Sequence, residues 1–187
     1  MKKKNKYEYF LNAIHYCIWL NDIKFGNFMG DIVNILFSPI PKYLFSKELK
    51  KKYYERQAKQ KQETNKFFYG KQNSFHTEWA HHWYGYFYSG YSAFFSFILV
   101  DIVDRHFGNL STIMFILLFA IPIVVCYIPA YKAVFSNDRY LKYFKQFEKR
   151  DEQWHKKWKR ITIVFCICSF ITTFLGLYVA HCLSLIL

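Results

Sequence analysis

Two uncharged runs constrain this chain more than any other feature. From Ile161 to Leu187, and again from Leu110 to Tyr131, the sequence contains no Asp, Glu, Lys or Arg. A helix rising about 1.5 Å per residue needs about 20 apolar residues to cross a hydrocarbon core roughly 30 Å thick, and both runs meet that length. A third stretch, Trp83 to Val103, is also long enough, but it opens on Tyr84, Tyr86, Tyr88 and Tyr91 and carries Asp101 near its end. Trp79, Trp83 and these tyrosines match an interfacial belt, where a ring tolerates apolar surroundings while its polar tip needs water. The competing reading of that stretch is a helix buried in a soluble core. Pro122 and Pro129 would break a helix in water, whereas in a bilayer neighbouring helices re-satisfy the carbonyls that a proline frees. The expectation is an all-α integral membrane protein with about three transmembrane helices, an N-terminal amphipathic helix and basic cytoplasmic helices.

Charge fixes the expected orientation. The 187 residues hold 26 Lys+Arg against 13 Asp+Glu, a formal charge of +13, yet 53% are hydrophobic and 22% aromatic. Such aromatic content excludes a disordered basic chain. The basic residues gather in two places, the first 82 residues and the segment Lys132 to Arg160, while the connection Asp104 to Asn109 holds Arg105 as its single Lys or Arg. The positive-inside rule then places the N-terminal region and the 132–160 segment in the cytoplasm, the 104–109 hairpin outside and the C-terminus outside. Five segments follow. They are an amphipathic or interfacial region (1–46), a basic cytoplasmic helix with a histidine cluster (47–82), a transmembrane hairpin (83–134), a basic cytoplasmic segment (135–160) and a C-terminal transmembrane helix (161–187). No cleaved signal peptide is expected, because Asn12 and His15 interrupt the apolar run after the first lysines and no small-residue cleavage site follows. The five cysteines sit in or near apolar segments, and Cys166-x-Cys168 lacks zinc or thioredoxin spacing, so no disulfide framework is implied.

The N-terminal region carries a polar stripe. Lys24, Asn27, Asp31 and Asn34 recur at helical spacing, and Glu8, Asn12, His15 and Asp22 make a similar stripe in the preceding turns, with Trp19 in the missing place. One reading is an amphipathic helix in the inner-leaflet interface. The other is a helix that turns Asn12, His15, Asp22, Asn27, Asp31 and Asn34 toward a water-filled space in an oligomer. Ser38-Pro39-Ile40-Pro41 then stops the helix, and Ser46 can cap a new one. The Lys- and Gln-rich stretch Lys47 to Lys66, with a Glu55/Lys59 pair, reads as a solvated helix near an anionic membrane surface. Nucleic-acid contact is the functional alternative, since lysine faces bind phosphate without sequence preference, but the aromatic positions that would stack bases are sparse. Direct RNA binding is therefore not indicated.

Two motifs could carry chemistry. His76-Thr77-Glu78-Trp79-Ala80-His81-His82 places three imidazoles and a carboxylate within seven residues, which suits zinc or iron. It faintly resembles one histidine box of membrane di-iron hydroxylases and desaturases, which need several boxes on one membrane face. The competing reading of His76, His81 and His82 is a set of interfacial, pH-responsive histidines. The second motif is Arg150-x4-His155. It resembles the HEPN nuclease signature, in which Arg and His from two copies meet, the base and the permanent cation handling ribose hydroxyl and phosphate. Its competing reading is a solvated, charge-rich helix ahead of a span. No Gly-rich phosphate loop, nucleophile elbow or catalytic carboxylate pair is present in the sequence, and no cofactor is implied.

Together with the short length, the basic charge and the apolar spans, Arg150/His155 resembles the small membrane accessory proteins of type VI-B CRISPR systems that carry a divergent HEPN motif. That resemblance implies an oligomeric pore in the bacterial inner membrane. Such a pore strengthens antiphage defence when an RNA-guided effector is active, through permeability rather than RNA cleavage by this chain. Small residues at Gly85, Ser89, Ala93, Ser92 and Ser96 allow close helix packing, and Asp101 and His181 fall near the outer ends of their spans. They either ring an opening or snorkel into the interface. Three readings of function are open. The first is a homo-oligomeric pore in a lipid bilayer, the second a non-catalytic membrane subunit anchoring a larger complex, and the third an enzyme using the histidine cluster or Arg150/His155.

Overall fold

The structure, a computed structural model, describes residues 5–37, 46–69, 74–108 and 110–186. Every regular element among them is helical. In chain order they are α1 (Lys6–Phe37), α2 (Lys47–Tyr69), α3 (Phe75–Phe107), α4 (Thr112–Val134), a 3-10 turn (Ser136–Asp138), α5 (Arg139–Phe147) and α6 (Glu152–Ile186). The stretches within α3, α4 and α6 are long and apolar enough to cross a membrane. The protein is thus an all-α membrane protein, as its uncharged runs dictate. The Ser38–Pro41 break lies outside the described residues, as do the side chains of Asn34 and Lys59.

The chain divides into two compact units, residues 1–17 with 82–187, and residues 18–81. In the first, α3 lies between two partners. Toward α4, Ser96 Oγ donates to the Phe119 carbonyl (2.8 Å), one residue from the carbonyl that Pro122 leaves without its usual donor. Phe97 meets Phe119 and Tyr88 meets Tyr127 edge-on. Toward α6, Tyr91 Oη donates to the Phe165 carbonyl (2.6 Å) and Thr173 Oγ1 to the Gly90 carbonyl (3.1 Å). A side chain at Gly176 would place its Cβ 2.8 Å from the Phe94 Cα, so α3 and α6 touch backbone to backbone there. Close approach of this kind replaces the hydrophobic effect as the glue between helices in lipid. The remaining apolar surface points outward, with Ile113, Val125 and Phe174 at 72%, 60% and 66% exposure. Water would not tolerate so continuous a patch.

The α3–α4 connection is a tight reversal. Gly108 takes φ +64, the left-handed geometry glycine adopts freely, and its N–H donates to the Asp104 carbonyl (2.7 Å). Asp104 Oδ1 accepts the Leu110 N–H (3.2 Å), and Ser111 caps α4 by accepting the Met114 N–H (3.3 Å). Asp101 is neutralised on its own helix by Arg105, one turn on (2.8 Å). At the far end of α4, Asn137 and Asp138 adopt positive φ (56 and 52), which turns the chain into α5.

In the second unit, Ser46 caps α2, with the Leu49 N–H donating to its Oγ at 3.5 Å. Ser74 starts α3, its Oγ accepting the Thr77 N–H (3.3 Å). Phe25, Phe28, Val33, Ile35, Leu36 and Phe37 on this part of α1 are exposed, beside the equally exposed Lys24, Asn27 and Asp31.

Candidate functional site

The first half of α1 forms the heart of an aromatic cap on the first unit. Leu11 through Cys17 are all buried, Asn12 and His15 among them. This run is apolar at every position except those two, and a helix that is apolar all round is covered all round. The His15 ring lies 5.3–5.7 Å from the rings of Tyr84, Phe135, Tyr140 and Phe144. Asn12 Nδ2 donates to the Glu8 carbonyl (2.8 Å) and to the Ala133 carbonyl (3.1 Å). The second acceptor belongs to the last turn of α4, whose carbonyls have no intrahelical donor. Asn12 therefore acts as a cap supplied by another helix. Around this centre, Tyr16, Phe144, Phe147 and Trp154 interlock, with Phe147 stacked on Trp154 at 4.8 Å. Trp154 Nε1 donates to Tyr9 Oη (2.9 Å). Glu8 pairs with Arg139 across the rim (3.6 Å).

The six residues of the expected polar stripe consequently have different surroundings. Asn12 and His15 are enclosed by their own chain. Asp22 is partly buried and bonded to His76, Asn27 and Asp31 are exposed, and the side chain of Asn34 lies outside the described residues.

The Arg150-x4-His155 motif straddles a turn rather than lying on one helix. Arg150 sits between α5 and α6 with its N–H donating to the Phe147 carbonyl (3.0 Å) and its guanidinium exposed. His155 lies in the first turn of α6, partly buried, with its ring 5.9 Å from Tyr16 and 5.1 Å from Trp154. No hydrogen bond, ion pair or ring contact joins Arg150 to His155 among the described residues. In one copy, then, base and cation are not assembled around a common point, and the imidazole is seated on the aromatic cap.

The histidine cluster also separates. All of it lies on α3, which begins at Phe75, ahead of the expected span start at Trp83. His76 is buried, its Nδ1 2.5 Å from Asp22 Oδ2, with Phe68 and Phe75 beside its ring. Gly26 packs so closely on that imidazole that a Cβ there would collide with it. His81 Nδ1 lies 3.9 Å from Glu78 Oε2, and His82 is exposed. Among the described residues no group of three or more His, Cys, Asp or Glu side chains converges as a metal site. His76 and Asp22 instead form a two-residue clamp between α1 and α3 within the second unit.

Tyr16 supplies a pH dependence. Burial, reinforced by the negative charge of Glu148, pushes its hydroxyl up to about 12 from the ordinary 10.0. Between those values the unfolded chain has released a proton that the folded chain keeps, so stability falls as pH rises through the interval. Unfolding in detergent between pH 9 and 12 should show this loss, and Tyr16→Phe should make it shallower without abolishing it, because burial also raises the hydroxyl of Tyr143.

Sequence reasoning did not anticipate the cap, although its signal was present. Tyr140, Phe144 and Phe147 recur at spacings of four and three in an otherwise basic segment, which marks an apolar stripe on a short helix. Comparison with protein-family models, with curated proteins and with solved structures found no match.

Proposed function

We propose that the chain is a non-catalytic integral membrane subunit, with its N-terminal region and the basic 132–160 segment in the cytoplasm, that works by assembling with other polypeptides. The observation that carries this reading is the second half of α1. Its exposed Phe25, Phe28, Val33 and Leu36 lie beside exposed Lys24, Asn27 and Asp31, an amphipathic surface that its own unit leaves uncovered. Such a surface is served by the lipid interface or by a partner helix. The net charge of +13 favours a cytoplasmic placement of the basic parts and an anionic inner leaflet beneath them.

A second reading, the oligomeric pore of an antiphage defence system coupled to an RNA-guided effector, draws on the same helix. Asn27 and Asp31 would turn inward in an assembly of several copies while the phenylalanines face lipid. Enclosure of Asn12 and His15 in the aromatic cap removes them from such a lining and ranks this reading second. Arg150, exposed, and His155, seated on the cap, would meet their counterparts only across a copy interface.

One experiment separates the two. The full chain is extracted in mild detergent, its particle mass is measured, and it is reconstituted into dye-loaded vesicles. The subunit reading expects a particle without self-association beyond a small oligomer and no dye release. A large homo-oligomer that releases dye would overturn it in favour of the pore, and loss of phage protection in the Arg150→Ala, His155→Ala double variant would then tie that pore to defence.

A further inference from the structure

A groove of about 400 Å³ runs along α4 beside α3. It is lined by Ile123, Val124, Tyr127 and Ile128 of α4 with Ser89 of α3 beside them, and toward the end of α4 by Lys132, with Ser136 just past it. The volume falls within the range of small-molecule sites, roughly 300–1,000 Å³. The lining is mostly apolar, and its one cation, Lys132, lies near the end of α4. Lys132 is also the first charged residue after the uncharged run Leu110–Tyr131, so it marks the membrane boundary. Nine residues separate it from Ile123, about 13 Å at helical rise. One leaflet of a hydrocarbon core is about 15 Å deep, half of the full thickness. The groove therefore begins where headgroups lie and ends near the bilayer midplane.

We propose that this groove holds one anionic phospholipid from the leaflet on the side of the basic 132–160 segment, an acyl chain on Ile123–Ile128 and the phosphate on Lys132. The charge at the mouth selects the head, since an ammonium at the boundary attracts a phosphodiester that carries net negative charge more than a zwitterionic one. Ser136 supplies a hydroxyl donor at the same end. Lys132 also complements the C-terminal carbonyls of α4, but that role is indifferent to lipid class. The inference needs only that α4 crosses a bilayer and does not depend on which of the two functional readings holds.

The test is native mass spectrometry of the full chain in micelles containing equal amounts of phosphatidylglycerol and phosphatidylcholine. The wild-type chain should retain one phosphatidylglycerol about fivefold more often than phosphatidylcholine, the bias expected from one lysine beside an anionic headgroup. Lys132→Gln, a change at an exposed position, should bring the two lipids to parity. Ile128→Trp should fill the floor and remove both adducts, while Lys149→Gln, outside the groove, should change nothing. Equal retention of the two lipids by the wild type would overturn the proposal. So would undiminished preference in Lys132→Gln, or a two-chain particle that binds no lipid, which would give the groove to a second copy.

Discussion

Phe144→Ala should unfold the aromatic cap at a cost of about 3–5 kcal/mol, the range for removing a buried phenyl ring. Phe144 is fully buried, and its ring centre lies 5.3 Å from that of His15, 5.1 Å from Tyr16 and 5.6 Å from Tyr140. Truncation leaves those three rings facing a void. The effect is large because the cap lies at the water end of the helices, where burial still draws on the hydrophobic effect. Among the spans lipid is as apolar as leucine, and the same truncation would cost less. Near-ultraviolet circular dichroism should lose most of its aromatic signal in Phe144→Ala while the far-ultraviolet helical signal stays. Phe144→Leu, which refills part of the space, should recover more than half of the lost stability. A Phe144→Ala protein with unchanged aromatic dichroism would remove the cap as a structural element.

Gly176→Leu is the second large effect, and its origin is different. The clash is with the Phe94 Cα, so no rotamer relieves it and α3 must part from α6. Separation stretches the Tyr91 bond to the Phe165 carbonyl and the Thr173 bond to the Gly90 carbonyl. Overpacking costs about 1–3 kcal/mol, and each interhelical hydrogen bond in a membrane about 0.6–2 kcal/mol. The midpoint of thermal unfolding in detergent should fall on the order of 10 °C. Phe174→Leu, two residues away at 66% exposure, should leave the midpoint within a degree or two of wild type, about the scatter expected for a surface change. Equal midpoints for the two variants would contradict the close α3–α6 contact.

The spans were legible because bilayer thickness sets a length that no soluble helix needs, and Leu110–Tyr131 and Ile161–Leu187 meet it without a charge. The Ser46 cap was legible from its position ahead of Lys47 and Glu48. What the sequence concealed was direction. Helical spacing placed Asn12 and His15 in one polar stripe and Asn27 and Asp31 in a similar stripe further along α1, but spacing reports which residues share a face and says nothing of what that face meets. Burial of the first pair depends on Tyr140 and Phe144, more than a hundred residues later. His76 was concealed in a similar way. Its neighbours His81 and His82 suggested a ligand set, while its partner is Asp22, 54 residues away. Gly90 and Gly176 drew no notice beside the small residues from Gly85 to Ser96, because a single glycine in an apolar run has no periodicity to mark it.

Lipid is the solvent of α3, α4 and α6, and extraction tests this directly. Membranes from cells expressing the full chain should be washed with alkaline carbonate, which strips proteins held by charge or by an interfacial helix, and the sediment then treated with detergent. The protein should stay in the carbonate sediment and enter solution only with detergent. Release of folded, helical protein into the carbonate wash would contradict this.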